Sequence, residues 1–297
     1  MAPMKNLPRI ITALIPGLLL LTFGGVAPAD EAPLGVTVSI LPQVWFAERI
    51  GGEQTRAEAL VGPGHSPATF EPTSRQMANL EQATVFFCAG VPFENGLLRR
   101  VAGLKNAPPI HGPRPEAGHD HHDHHGHHHH EDGMDPHTWL DPMQAAAMGD
   151  TMATVLAQLD PAHAALYLER AATLRRDLAR LSREIETILQ PVRGRTFFVY
   201  HPAYGHFARA FGLKQVAIET GGREPGPRQL AQVIDQIRQQ GAEVIVVQPQ
   251  FSRKSAQSIS RATGATLLPL DPLAPEYDTN LRHIATELAR ALQGAAQ

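Results

Sequence analysis

The sequence lacks the features that define several classes of protein. Cys88 is the only cysteine in 297 residues, so the chain cannot form an intramolecular disulfide. The net charge of −3, with mixed signs, gives no basic surface of the kind that binds nucleic acid. No H-E-x-x-H helix, nucleophile elbow or phosphate-binding loop occurs. We therefore expect a protein that is not an enzyme and that does not bind nucleic acid.

Long apolar runs are also scarce, and the one that occurs lies at the N-terminus. Lys5 and Arg9 precede an apolar stretch over residues 10–26, and Ala27-Pro28-Ala29 follows it. This order is typical of a secretory signal peptide, and the proline and glycines inside the stretch argue against a retained membrane helix. We predict a signal peptide over residues 1–29, cleavage near Ala29 and an exported, soluble protein.

Histidine, in contrast, is abundant in one short segment. Residues 119–132 contain nine histidines and four acids in fourteen positions. Such a segment cannot bury enough apolar surface to fold into a core, but neutral imidazole is the commonest ligand for transition metals in proteins. The segment lies inside the chain, unlike a purification tag. It predicts a disordered, metal-related insertion at about 112–133. The surrounding Pro-, Gly- and His-rich stretch over 105–135 is also predicted to be disordered.

The rest of the chain alternates between strand and helix patterns. Short apolar runs that end at turn residues indicate strands, and runs with apolar residues three and four apart indicate helices. Thr73, with Gln76 three residues later, is a plausible capping box at the start of a helix. This alternation predicts an α/β fold with mostly parallel sheets flanked by helices. Predicted strands are 36–41, 57–61, 85–88, 196–200, 215–218, 244–247 and 266–270; predicted helices are 44–50, 73–80, 145–159, 160–190, 206–211, 229–240, 255–263 and 278–292.

The predicted helix over residues 160–190 is the longest element and divides the chain. Its apolar residues are spaced alternately three and four apart, which forms one stripe for packing rather than a binding surface. We predict an N-terminal α/β lobe over 30–159, a linking helix over 160–190 and a C-terminal α/β lobe over 191–297.

Four metal-ligating side chains occupy loop positions where α/β folds place their sites. Ligands in open α/β sheets bind beyond the carboxyl ends of the strands. His65 follows the second predicted strand, His201 follows the strand that ends at Tyr200, and Asp271 follows the last strand. His137 lies between two prolines just after the insertion. Three histidines and one aspartate suit tetrahedral Zn²⁺, so His65, His137, His201 and Asp271 are the candidate ligands.

The other histidines outside the insertion, and the single cysteine, lie at positions that give weaker arguments for a metal site. His163 and His283 fall on helices among Ala, Leu and Arg, as surface residues do. Nothing in the sequence places His111 at a site. His206 follows His201 by five residues and could orient a ligand without binding the metal itself. Cys88 follows an apolar strand pattern and is interpreted as a buried small hydrophobe.

Four ordered motifs give the sequence a specific resemblance. They are Asp135-Pro-His-Thr-Trp-Leu-Asp-Pro142, Tyr200-His-Pro-Ala-Tyr-Gly-His-Phe207, Glu224-Pro-Gly-Pro-Arg-Gln-Leu230 and Leu270-Asp-Pro-Leu273. From about Val36 to the C-terminus, outside the histidine insertion, the chain resembles the periplasmic zinc/manganese solute-binding proteins of metal ABC transporters, the zinc-uptake type in particular.

The resemblance implies a fold, a cargo and partners. It implies two α/β lobes bridged by a long rigid helix, with the metal held between the lobes. It further implies a periplasmic monomer that binds Zn²⁺ and delivers it to an ABC permease in the inner membrane, with the His-rich loop as an accessory capture segment. His137 and His201 would be ligands, and Asp271 would add a carboxylate from the second lobe.

One motif departs from the family. The first-lobe loop of the family usually reads Pro-His-x-Tyr-Glu-Pro, whereas here it reads Pro67-Ala68-Thr-Phe-Glu-Pro72. Ala68 cannot bind a metal, so His65 is the candidate substitute and Glu71 a weaker one. A site of three protein ligands and water is the alternative.

Three other functions stay open from the sequence. A manganese-binding member of the same family would be expected to offer a second carboxylate, which the motifs do not contain, because Mn²⁺ prefers oxygen ligands. An exported zinc metalloenzyme would need an open coordination position and a general base. A metal buffer or adhesin would work without a permease.

Overall fold

The computed structural model describes residues 32–114, 135–219, 226–242, 244–251 and 253–294. The predicted signal peptide and most of the predicted His-rich insertion lie outside these residues. None of the described helices is long and apolar enough to cross a membrane.

Two four-stranded sheets, in which all strand pairs are parallel, organise the described chain. The first sheet has the order β2-β1-β3-β4 and the second the order β6-β5-β7-β8, so each begins near its centre and is extended first on one side and then on the other. This confirms the predicted α/β fold class. The strands are β1 Leu34–Ile40, β2 Thr55–Val61, β3 Val85–Phe87, β4 Ile110–His111, β5 Thr196–Val199, β6 Lys214–Ala217, β7 Val244–Val247 and β8 Thr266–Pro269.

Nine helices accompany these strands in the described residues, with short 3₁₀ turns between some of them. The 26-residue helix α5 corresponds to the predicted linking helix and lies between the two sheets in the chain. The helices are α1 Leu41–Gly51, α2 Ser74–Gln82, α3 Glu94–Val101, α4 Pro142–Leu159, α5 Ala164–Leu189, α6 Gly205–Ala210, α7 Pro227–Gln239, α8 Arg253–Thr263 and α9 Tyr277–Gly294.

Local sequence accounts for several of these boundaries. Helix α2 begins at the predicted capping box, in which the Thr73 hydroxyl accepts a hydrogen bond from the Gln76 N–H at 3.3 Å. The Gln76 side chain also donates to the Leu60 carbonyl at 2.7 Å, which ties α2 to the end of β2. Asp141 caps α4 by accepting from the Met143 N–H, and Pro142 follows as the first helical residue.

The predicted disordered stretch over 105–135 was too long at its start. Residues 110–111 form β4, an edge strand that pairs with β3, and the Cys88 N–H donates to the His111 carbonyl at 2.8 Å. Two residues are too few for an alternating pattern to be recognised in the sequence. Helix α3 was also missed, because its eight residues follow a Pro-containing loop and contain only three apolar side chains. Cys88 is buried, as predicted.

The buried side chains of the two sheets form one large cluster and one smaller one. Phe197 and Val199 of β5 face the large cluster, which also contains residues of β1, α4, α5 and α9. Phe198 and Tyr200 alternate with them and face the smaller cluster beneath α7 and α8. The first sheet, the linking helix and one face of the second sheet therefore share a core, and the candidate ligands lie in loops at its edge.

Candidate metal centre

A cavity of about 430 Å³ lies beyond the carboxyl ends of the strands and is lined by loops of both sheets. This is the position that the sequence predicts for the site. Its lining is mostly apolar, with two imidazoles, two carboxylates and one guanidinium among the charged or titratable groups of the described residues. From the first half of the chain come Ser66, Pro67, Ala68, Val91, Pro92, Asp135, Pro136, His137 and Trp139; from the second half come His201, Pro202, Gly205, Arg209, Gln215, Glu219, Gln250, Phe251, Pro272 and Leu273.

His137 is held in a fixed orientation at the start of the segment that leads into α4. Its Nδ1 donates to Asp135 Oδ1 at 2.7 Å, and its ring lies 5.1 Å from the Trp139 ring. Burial lowers the pKa of His137, even though the hydrogen bond and charge of Asp135 act in the opposite direction. The ring is therefore neutral at pH 7, and with Nδ1 engaged its Nε2 is the nitrogen left to bind a metal.

His201 follows β5 and is fixed by groups from the two neighbouring strands. Gln248, just past β7, accepts from the His201 N–H at 3.2 Å and donates to its carbonyl at 2.7 Å. His201 Nδ1 forms a very short hydrogen bond with Glu219, a buried carboxylate just past β6. The ring stacks on Phe251 with 4.7 Å between centroids. As in His137, a carboxylate occupies Nδ1 and leaves Nε2 available.

The two imidazoles lie close enough to share one ion. Their ring centroids are 5.3 Å apart, with an angle of 75° between the planes. With Zn–N bonds of about 2.0–2.1 Å, two imidazoles on a tetrahedral zinc would place their centroids roughly 5 Å apart. A carboxylate on the remote nitrogen of a metal-bound histidine is also common, because it fixes the ring and raises its basicity. The His137–His201 pair therefore has the arrangement of two ligands of one metal ion.

The loop after β5 also holds the carboxylate that orients His137. His206 Nε2 donates to the Asp135 carbonyl at 2.9 Å, and its Nδ1 accepts from Gln144 at 2.8 Å. Gly205 packs so closely on Asp135 that a Cβ there would lie 2.4 Å from Asp135 Oδ2. Although burial raises the pKa of Asp135, the hydrogen bond and charge of His137 outweigh this effect and lower it. The structure thus agrees with a positioning role for His206.

The other two candidate ligands lie apart from this pair. His65 is exposed, and its Nδ1 lies 3.1 Å from the Pro63 carbonyl oxygen. Its neighbours Ser66, Pro67 and Ala68 line the cavity, but His65 itself does not. Glu71 is exposed and does not line the cavity either.

Asp271 follows β8, as predicted, but one oxygen of its carboxylate is engaged by the loop after β7 and by its own loop. Its Oδ1 accepts from Gln250 Nε2 at 2.6 Å and from the Leu273 N–H at 2.8 Å. Asp271 is not among the residues that line the cavity. Within the described parts of the chain, no three His, Cys, Asp or Glu side chains form a group that could hold a metal ion. The assignments of His65 and Asp271 therefore stay predictions.

The sequence reasoning missed Asp135 and Glu219, the two carboxylates that orient the imidazoles. Both carried a signal that could have found them. Asp135 lies two residues before His137 in a motif that was singled out, and Glu219 directly follows a predicted strand. The rule that placed His201 and Asp271 at strand ends also applies to Glu219.

Comparison with known proteins finds relatives that are named for metal binding and zinc uptake. The chain is 27% identical over 276 residues to a putative metal-binding protein of Chlamydia muridarum, which covers 92% of this chain and 98% of the relative. It is 34% identical over 167 residues to the high-affinity zinc uptake system protein ZnuA of Brucella abortus, an alignment that spans 53% of this chain and half of that protein.

The fold has close counterparts among solved structures. A zinc-bound deletion mutant of ZnuA superimposes with a TM-score of 0.77 and 34% identity, covering 87% of this chain and 98% of that one. The profile of a family described as the periplasmic component A of the zinc-uptake complex (ZnuA) matches residues 36–291. The match extends over both sheets and the linking helix. The chain belongs to the ZnuA family of periplasmic zinc-uptake proteins.

Proposed function

We propose that this protein captures Zn²⁺ in the periplasm and delivers it to an ABC permease in the inner membrane. In this proposal it acts as a monomer, is exported by the signal peptide over residues 1–29 and has no catalytic activity of its own. Membership of the zinc-uptake family and the likeness to a zinc-bound ZnuA structure support this proposal.

The observation that carries the proposal is the His137–His201 pair. Two imidazoles, each with a carboxylate on Nδ1 and with ring centroids 5.3 Å apart, are the part of the site that is already assembled. In the proposal these are the two fixed ligands of the ion. His65 and Asp271 are the protein side chains that could complete the coordination, and both would have to move toward the pair to do so.

The type of donor supports zinc over manganese. Imidazole nitrogen suits Zn²⁺, whereas Mn²⁺ prefers carboxylate and water oxygen. The two carboxylates that line the cavity are engaged by the imidazoles instead of being free to bind an ion. Tighter binding of Mn²⁺ than of Zn²⁺ at pH 7.5 would contradict the assignment.

The histidine-rich segment has an accessory role in this proposal. Its imidazoles would provide several weak, rapidly exchanging sites that raise the local zinc concentration. Removal of residues 115–132 should therefore leave one tight site and eliminate the weaker ones. Loss of the tight site would instead make the segment part of the primary centre.

Equilibrium zinc titration of single alanine variants tests the ligand assignment. We expect His137→Ala and His201→Ala each to abolish tight binding, because either change leaves one fixed imidazole. His283→Ala is the matched control, since His283 is exposed on α9. His65→Ala and Asp271→Ala measure whether these groups complete the site. Unchanged affinity in both His137→Ala and His201→Ala would refute the proposed site.

A further inference from the structure

In the described parts of the chain, the candidate metal centre combines a cavity of about 430 Å³ with few protein ligands. A tetrahedral zinc bound by two imidazoles still needs two donors, and a pair of water molecules would fill only a small part of the space. At about 30 Å³ per water, 430 Å³ has room for on the order of a dozen water molecules. The volume lies in the range of small-molecule pockets, about 300–1,000 Å³, rather than that of a site for a bare ion.

The part of the cavity wall that comes from residues 66–68 and 91–92 is suited to an organic group. Ser66, Pro67, Ala68, Val91 and Pro92 form it, and none of them carries a side chain that binds zinc strongly. Ala68 occupies the position where the family resemblance expects a histidine. Its small side chain therefore leaves room where that ligand would be. Aromatic rings of Trp139 and Phe251 add further apolar surface.

The charges of the cavity favour an anionic companion for the ion. Arg209 is exposed and lines the cavity, and one of its nitrogens lies 3.0 Å from His206 Nδ1. A guanidinium opposes the binding of a bare dication but can pair with a carboxylate through its remaining N–H groups. A monoanionic chelator would therefore neutralise part of the positive charge that a bound Zn²⁺ adds to a cavity already lined by Arg209.

We propose that the cargo is bound as a zinc–aminocarboxylate complex, in which His137 and His201 supply two ligands and a free amino acid supplies an amine and a carboxylate. The chelator occupies the space beside Ala68, and its carboxylate lies toward Arg209. This inference rests on the proposed zinc-binding function and names the chemical form of the cargo.

Native mass spectrometry with isotopically labelled L-histidine tests the inference. Metal-free mature protein is mixed with zinc alone, with labelled histidine alone, and with both. We expect one histidine to be retained per zinc when both are present and none when zinc is omitted. Zinc retained without histidine from the mixture would overturn the inference, as would the loss of zinc in His65→Ala or Asp271→Ala.

Variants at the cavity wall make the test specific. Ala68→His should supply a third protein ligand, so zinc is retained and histidine is lost, whereas Ala68→Ser should behave like the wild type. Arg209→Gln should lower the ratio of histidine to zinc. Equal histidine retention in the wild type and Ala68→His would refute the proposed position of the chelator. Failure of the wild type to bind zinc in either form would instead refute the zinc-binding function itself.

Discussion

At the scale of single residues, two carboxylates orient the imidazoles of the candidate metal centre. Asp135 illustrates this, because it holds Nδ1 of His137 and is itself contacted by Gly205 and His206. Its partners come from the loop after β5, whereas His137 precedes α4. The orientation of one imidazole therefore depends on contacts made by the loop that carries the other.

We expect Asp135→Ala to weaken zinc binding about 10–100-fold, the usual effect of removing a group that orients a metal ligand. Without the carboxylate, the His137 ring can rotate and exchange tautomers. Asp135→Asn should lose less zinc affinity, because its amide oxygen can still accept a hydrogen bond from Nδ1. Competition titration with a zinc-binding dye measures the affinity of both variants, and Asp235→Ala at an exposed position of α7 is the control. Wild-type affinity in Asp135→Ala would show that packing alone orients His137.

The ligand candidates show what a single sequence can predict at this scale. His137 and His201 were predicted as ligands because flanking prolines and a strand end imply a fixed position, and the structure brings their rings together. Asp271 also lies at a strand end, but the sequence could not show that Gln250 and the Leu273 N–H occupy its carboxylate. The direction of the His65 side chain depends on the path of the loop around Gly62 and Gly64, which no periodic pattern determines.

At the scale of elements, the turn between β3 and α3 is organised around one buried acid. Glu94, in the first turn of α3, accepts hydrogen bonds from the Ser39 hydroxyl at 2.5 Å and from the N–H groups of Ala89 and Gly90 at 2.7 and 3.0 Å. These bonds fix the loop that brings Val91 and Pro92 to the cavity wall. The Ser39 bond joins residues 55 positions apart in the chain, and no local sequence pattern can indicate such a contact.

Glu94 should make stability depend on pH. Burial raises its pKa from 4.5 to about 6, despite the hydrogen bonds from Ser39, Ala89, Gly90 and Val91 that lower it. The folded state therefore binds this proton more tightly than the unfolded state. Its contribution to stability is complete below pH 4.5 and is lost as the pH rises through 6, a change of roughly 2 kcal/mol.

Urea unfolding of metal-free protein between pH 4.5 and 7 measures this contribution. The unfolding free energy of the wild type minus that of Glu94→Gln should fall by about 2 kcal/mol across the range, since the variant cannot titrate there. The variant should also be less stable at every pH, because its amide places a donor opposite a backbone N–H. A pH-independent difference between the two proteins would show that Glu94 keeps an ordinary pKa.

At the scale of the whole molecule, the predicted division into two lobes is accompanied by a shared core. Tyr277, at the start of the last helix, packs edge-on against Phe46 of α1 with 4.8 Å between ring centroids. Its hydroxyl donates to the Trp139 carbonyl at 2.6 Å, and Trp139 Nε1 donates to the Pro272 carbonyl at 2.9 Å. These buried contacts join the second half of the chain to the first within the large cluster. The predicted boundaries at residues 159 and 191 thus separate two sheets that share the large cluster, and the second sheet has the smaller cluster on its other face.

Because of this shared core, we expect the described body to unfold as one unit, and zinc to stabilise all of it. The fixed ligands lie on segments from both halves, so releasing either half destroys the site. Zinc at about 100 times its dissociation constant should add about 2.7 kcal/mol to the free energy of unfolding, which corresponds to a rise in Tm of roughly 5–10 °C for a chain of this size.

Scanning calorimetry of the mature protein with chelator and with zinc should show one transition in each case, shifted as a whole. Two transitions, of which zinc shifts only one, would mean that the halves are independent and that the metal is held by one of them. His201→Ala should show the same single transition without the shift, because it keeps the core and loses a fixed ligand.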